Sequence, residues 1–145
     1  FFNMNGVYSN GTVPMQYMYA LPGNISSSGK DFSFRSLSVG EVYGDRVVTV
    51  SLEHNFRDDL FKILGVPFFK TAEMNLSTYI DIAWVDQQGS SYNYLPKKSI
   101  KFLTPFYEAG FSLGHPLLPI KFEFTWKLNY KGTNNFTFGI NTVLL

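Results

Sequence analysis

The sequence predicts an all-β fold, an antiparallel transmembrane β-barrel of which this chain supplies about the last six strands. Three observations carry that prediction. From Ile120 to Tyr130 the even positions are Ile120, Phe122, Phe124, Trp126, Leu128 and Tyr130, and the odd ones Lys121, Glu123, Thr125, Lys127 and Asn129. A strand places successive side chains on opposite faces, so one face here is apolar and the other polar. Aromatic residues make up 18% of the 145 and charged residues only 16%, against roughly 25% charged in typical soluble domains. Finally, two connections are short and two are long and polar, as in barrels with tight turns on one side and long loops on the other.

Taken in chain order, Phe1 to Tyr8 is a sixth strand with poor alternation, and residues 9–44 form a long extracellular loop. The remaining 45–145 hold five final strands. Asp45 to Phe56 sets Val48, Val50, Leu52 and Phe56 against Asp45, Thr49, Ser51, Glu53 and Asn55. Arg46 and His54 fall on its apolar face near the two ends, where a lipid-facing strand tolerates polar groups. The join at 57–69 is intermediate in length, and Leu60 to Leu64 suits one helical turn at the interface. Thr71 to Val85 sets Met74, Leu76, Thr78, Ile80, Ile82 and Trp84 against Glu73, Asn75, Ser77, Tyr79 and Asp81. A long join at 86–105 follows. Phe106 to Leu113 opposes Tyr107, Ala109, Phe111 and Leu113 to Glu108, Gly110 and Ser112, and Gly114, His115 and Pro116 make a tight turn. The Ile120–Tyr130 strand is joined by Lys131 to Asn135, with turn-forming Gly and Asn, to a last strand from Phe136 to Leu145.

Alternation alone is equally compatible with a soluble two-layer protein and with a barrel. The connection lengths favour the barrel. Lipid then meets Val48, Val50, Leu52, Leu76, Ile80, Ile82, Phe122, Phe124, Trp126, Leu128, Phe138 and Ile140, while Glu53, Asp81, Glu123, Lys121 and Lys127 line a wet lumen. Trp84, Trp126, Tyr107, Tyr130, Phe106 and Phe136 lie towards strand ends, as the aromatic girdles of membrane barrels do. Six strands are fewer than the roughly 8 of the smallest single-chain bacterial barrels. Open edges cannot sit in lipid, so the remaining barrel strands are expected from the same chain or another. The chain begins at Phe1 rather than Met and reads as a processed or partial chain. No stretch approaches the roughly 18–20 apolar residues of a membrane helix.

The net charge of +1 gives no electrostatic case for nucleic acid. Without cysteine there are no disulfides and no thiolate metal sites. No catalytic, cofactor-binding or metal-binding constellation emerges, and the chain is not expected to be an enzyme. His54 and His115 read as interfacial and turn histidines. Glu53, Asp81 and Glu123 have the residue types of glycoside chemistry, but the plainer reading is lumen charges paired with Lys121 and Lys127. Ser26 to Lys30 lacks phosphate-loop spacing. Four N-glycosylation sequons, at Asn10, Asn24, Asn75 and Asn135, carry no weight in a chain of bacterial type.

Phe34 to Arg46 (FRSLSVGEVYGDR) and the following Val47 to His54 (VVTVSLEH) resemble the outer-membrane assembly and secretion superfamily that includes BamA. There a long extracellular loop carries an Arg-Gly-aromatic motif and folds back into the barrel. Arg35 stands at the motif arginine, followed by Ser36 and Leu37 instead of Gly and an aromatic. A closer likeness is to large Bacteroidota outer-membrane proteins that join a carboxypeptidase-regulatory-like domain to a C-terminal barrel. It rests on Gly11 to Pro14 (GTVP), Tyr43 to Val47 (YGDRV), Leu52 to Phe56 (LEHNF), Phe61 to Pro67 (FKILGVP), Tyr107 to Phe111 (YEAGF) and Phe124 to Tyr130 (FTWKLNY). Leu145 departs from the terminal aromatic common in such proteins.

The resemblance implies a bacterial outer-membrane location, lipid and other outer-membrane proteins as partners, and no cofactor. It implies a role in inserting, assembling or exporting such proteins, or in scaffolding a larger membrane complex. It further implies an ion pair between Arg35 and an inward acid, for which Glu53 and Asp81 are candidates. The last strand, with Phe136, Phe138 and Ile140, would form a seam that templates incoming strands. Two other classes stay open: a channel or receptor binding ligand through its long loops, and a soluble β-sandwich or lipocalin-like binding module.

Overall fold

The computed structural model describes residues 1–24, 33–65, 69, 74–88, 100–115, 117–118 and 120–142. In chain order the strands are β1 (Phe2–Tyr8), β2 (Tyr19–Ala20), β3 (Gly23–Asn24), β4 (Phe34–Ser38), β5 (Tyr43–Gly44), β6 (Arg46–Arg57), β7 (Asn75–Asp86), β8 (Phe106–Gly114), β9 (Ile120–Lys127) and β10 (Phe136–Thr142). A helix, α1 (Asp59–Leu64), follows β6. Six strands pair antiparallel in the order β1-β6-β7-β8-β9-β10, and β2-β5 and β3-β4 form two small satellite pairs. The fold is therefore all-β. The sheet is open: within the described residues nothing pairs with the outer edges of β1 and β10.

Register keeps one parity across the sheet. Asp81 stands opposite Ser51 on β6 and Glu108 on β8, and Glu108 opposite Lys127 on β9. Slipping any strand by one residue would turn its polar row to the other face. A bulge between Asn55 and Arg57 marks the far end of β6, where Arg57 adopts a left-handed φ of 54°. β1 has little alternation of its own, yet pairs with β6 along its whole length, from Phe2 with Leu52 to Tyr8 with Arg46.

The two faces are inverted relative to a soluble sheet. Asp81, Glu108, Glu123 and Lys127 are each 5% exposed or less, whereas Leu52, Trp84, Phe122, Trp126, Phe138 and Ile140 are each 41–59% exposed. None of the twelve residues expected to face lipid is buried. Instead the described part of the chain between β1 and β6 lies across the polar face. It builds an apolar plug there from Leu21, Phe34, Leu37 and Val42, against Val47, Ala83, Val85, Phe102 and Phe106 from β6, β7, β8 and the join before β8. Phe106 stacks on Phe102 at 5.0 Å and meets the edge of Phe34 at 5.8 Å.

This plug closes the end of the sheet where the long joins emerge. Backbone bonds stitch the joins together there, with the Leu21 amide donating to Val42, Phe34 to Pro22 and Ile100 to Glu41. The Tyr130 hydroxyl accepts from the amides of Leu103 and Thr104. At the opposite end α1 stops at Gly65, which takes a left-handed φ of 64°. Here Lys62 lies 2.6 Å from Asp58, and this hydrogen bond holds the Asp58 carboxyl below its usual range. Phe61 is buried while Ile63 and Leu64 are exposed.

Several sequence expectations shift. The Ile120–Tyr130 strand ends at Lys127 because Asn129 turns to the backbone, accepting from the Tyr107 amide and donating to the Pro105 carbonyl. Phe106 and Tyr130 do not join an outer aromatic girdle: Phe106 is fully buried inside the plug, and Tyr130 (φ 49°) ties two joins together. The short 128–135 join shares its end with the two long ones, as strand parity in a meander requires. The start of the expected Thr71–Val85 strand at 71–73, the Ser26–Lys30 segment, part of the sequon at Asn24, Pro67, Pro116, the central part of the 86–105 join and the chain end including Leu145 lie outside the described residues.

Replacing Phe106 by Ala empties the centre of the plug, for which cores typically lose about 3–5 kcal/mol. Equilibrium unfolding in detergent micelles should register that loss, whereas Leu103→Ala, at an exposed join position, should leave the midpoint within error.

Candidate functional site

β4 carries four consecutive buried residues, Phe34 to Leu37. Phe34 and Leu37 anchor it in the apolar plug, which holds Arg35 and Ser36 against the inward acids of β7, β8 and β9. Glu108 receives the Arg35 amide at 2.7 Å, the Ser36 amide at 3.0 Å and the Ser36 hydroxyl. A buried carboxylate is costly unless its lone pairs are met, and three donors from two consecutive residues meet them here.

The Arg35 side chain runs on to two further acids. Its Nε donates to Glu123 Oε2 at 3.0 Å and its Nη2 to Glu123 Oε1 at 3.3 Å, a two-point grip. Nη1 donates to Asp81 Oδ2 at 3.3 Å. The guanidinium lies over the Tyr79 ring, 3.9 Å from its centre, so planar charge is met by acids at the edge and an aromatic face below. Burial acts against the Arg35 charge, but the hydrogen bond and charge of Glu123, with Tyr79 and Asp81, outweigh it and raise its pKa above the ordinary value. Lys121 reaches Glu123 Oε1 at 3.2 Å from the other side.

Gly110 makes this stack possible. It is the β8 residue between Tyr79 on β7 and Thr125 on β9. A Cβ there would lie 2.2 Å from the Phe124 carbonyl oxygen and 2.5 Å from the Tyr79 hydroxyl. Without it the Tyr79 ring lies flat across β8. Its hydroxyl reaches Thr125 Oγ1 at 2.5 Å and is 3.3 Å from the Phe124 carbonyl. The layers are thus sheet backbone, Tyr79 ring and Arg35 guanidinium.

The site brings Arg35 and Asp81 together as ion-pair partners, but Glu53 takes no part in the Arg35 contacts. Glu53 lines the same cavity of about 260 Å³ with Arg35, Asp81, Tyr79 and Lys121, while its backbone pairs with Phe1. Glu123, read in sequence only as a lumen charge, holds the arginine instead. Lys127 turns away from it, donating to the Thr133 carbonyl at 3.1 Å and lying 4.0 Å from Glu41. His54 faces outward edge-on to Phe56 at 4.4 Å, and His115 Nδ1 accepts from the Leu117 amide in the turn. The described residues contain no group of three or more metal-type ligands. Asp81, Glu108 and Glu123 are all engaged by the loop, which makes the arrangement a latch rather than an open acid pair.

Sequence reasoning did not single out Glu108, Tyr79 or Gly110. The only signal was their shared place on the polar row of adjacent strands. Ser36, noted as a departure from the motif, is itself a Glu108 partner.

Removing Arg35 leaves Asp81 buried without its cation and Glu123 with Lys121 alone, and breaking a buried ion pair typically costs about 3–5 kcal/mol. Arg35→Ala should therefore speed amide hydrogen exchange through residues 33–38, and Arg35→Lys should recover only part of the protection because it cannot grip Glu123 at two points. Gly110→Val should produce the same loosening by displacing Tyr79. Unchanged exchange in all three variants would remove the latch.

Comparison with protein-family models, with curated proteins and with solved structures finds no match to this chain.

Proposed function

We propose that this chain is the membrane-embedded C-terminal part of a bacterial outer-membrane β-barrel of the BamA-related kind. In this reading it assists insertion, assembly or export of other outer-membrane proteins, or scaffolds a larger membrane complex. One observation supports this above the rest: the sheet buries its charged row under its own loop and leaves a largely aromatic and aliphatic face, interrupted by Arg46, His54 and Thr78, uncovered across six strands. Exposed apolar patches beyond a few hundred Å² mark membrane or protein contact surfaces. In water this face would drive association; in lipid it is the outer wall of a barrel, with the buried charges in the lumen.

The loop latch supports the family likeness because Arg35 is the residue matched to the motif arginine. The same latch weighs against an open channel, since residues 33–38 occupy the polar face. In lipid, the unpaired edges of β1 and β10 require further strands. The outer edge of β10, presenting Phe136, Phe138 and Ile140 to lipid, would be the seam along which an incoming strand pairs through backbone hydrogen bonds.

Ile80→Arg, halfway along the outward row of β7, should block membrane integration, as a midplane arginine on a lipid-facing strand costs about 2–4 kcal/mol. Leu118→Arg, in the exposed β8–β9 turn, should integrate normally. Membrane fractionation, with gels run before and after boiling, reads both. A protein that stays monodisperse without detergent, indifferent to Ile80→Arg, would return the sequence to a soluble β-sandwich. The assembly role stands on photo-crosslinks from positions in β10 to other barrel proteins; none above background would sink it.

A further inference from the structure

We infer that closing the loop latch takes up one proton, held on Glu108, so that β4 is clasped to the sheet at low pH and released as pH rises. This goes beyond the membrane reading and does not depend on it, because it concerns only the contact of β4 with the polar rows of β7, β8 and β9.

The charge count carries the inference. Asp81, Glu108 and Glu123 are each 5% exposed or less. The cations that reach them are Arg35, 3.0 Å from Glu123 and 3.3 Å from Asp81, and Lys121, 3.2 Å from Glu123. Two positive charges thus meet three negative ones, and both are spent on Glu123 and Asp81. Glu108 is met instead by neutral donors, the Arg35 and Ser36 amides and the Ser36 hydroxyl. Among the described residues no cation lies within ion-pair distance of it. Asp81 stands directly opposite it, and like charges so placed on paired strands destabilise the pair.

The other ionisable neighbours do not supply the missing charge. Lys127 is the β9 partner of Glu108 in register, yet its Nζ donates to the Thr133 carbonyl at 3.1 Å and lies 4.0 Å from Glu41. Tyr79 turns its hydroxyl to Thr125. Glu53 adds a further acid to the cavity beside Arg35. A buried charge without a counter-charge is costly, and a proton on Glu108 removes that cost.

The clasp accommodates this proton. A hydroxyl accepts as well as donates, so a protonated Oε2 donates to Ser36 Oγ while Oε1 still accepts from the Arg35 amide at 2.7 Å. Oε2 keeps a lone pair for the Ser36 amide, 3.0 Å away. Once β4 lifts off, water solvates the carboxylate and the proton leaves. The closed state therefore binds one proton more than the open one. By linkage its closing constant falls by up to about tenfold for each pH unit across the titration.

The test is amide hydrogen exchange at residues 33–38 of the full chain in detergent micelles, with each rate divided by the intrinsic rate of a free amide at the same pH. Protection should fall as pH rises, and the infrared band of a protonated carboxyl should fade over the same interval. Glu108→Gln keeps the site neutral, so its protection should no longer vary with pH and the band should be absent. Glu53→Gln should retain both signals. Should Glu108→Gln not fold, Asp81→Asn gives the second check: it removes the acid excess and should flatten the pH dependence. Wild-type protection that is flat or rises with pH overturns the inference. So does a pH dependence that survives both Glu108→Gln and Asp81→Asn, or one lost in Glu53→Gln alone. The membrane reading stands or falls separately, on fractionation.

Discussion

The rest of the structure depends on how three buried carboxylates are neutralised. Asp81 and Glu108 stand directly opposite each other on neighbouring strands, and Glu123 lies on β9 opposite Ser112, further along the same face. Like charges so placed repel, and each also loses its water when the loop covers it. β4 resolves both problems with two residues. Arg35 brings a delocalised cation to two of the acids, and its own amide and Ser36 bring neutral donors to the third. Breaking either half strips buried carboxylates of their donors, which ties the loop to the sheet.

That dependence explains the inverted faces. An apolar core could be covered by any amphipathic layer, but a row of acids can be covered only by a segment carrying matched donors at matched spacing. The described part of the 9–45 join brings those donors to the sheet through β4. Its apolar residues, Leu21, Phe34, Leu37 and Val42, supply the hydrophobic part of the contact at one end. The charged contact lies towards the middle, where a cavity of about 260 Å³ remains beside Arg35. The opposite face has no cover among the described residues, and its stacked aromatics, such as Phe111 with Phe124 at 4.9 Å and Trp126 with Phe136 at 5.2 Å, pack along the sheet.

Strand positions and faces were legible because period-two alternation is a local signal: five of the six main strands follow from it within a few residues at either end. β1 was harder, since Asn3, Asn5 and Gly6 blur its parity, and its place is set by pairing with β6. Where Asn129 and Tyr130 continue the alternation but leave the strand, side-chain bonds to distant backbone groups win over local pattern. Those partners are more than twenty residues away, beyond any window on the sequence. That the strand residues among the twelve share one face was readable from parity. The choice of Glu123 over Glu53 was not, because both occupy the same row and only the path of the 9–45 join decides which one the arginine meets.

The soluble and membrane readings of the alternation differ in a single physical question, namely which face acquires a cover. In a soluble sandwich the joins would pack on Phe122, Phe124, Trp126 and their neighbours, because burying that area is the strongest driving force available in water. Here β4 instead lies on the polar side, where Arg35 and Ser36 satisfy buried charges. A chain that commits its longest connection to the less hydrophobic face gives up the larger gain unless another medium covers the other side. In the proposed membrane reading hydrocarbon is that medium, and every backbone group of a spanning sheet would then have to be paired. That requirement places the remaining constraint on the edges of β1 and β10 rather than on the face between them.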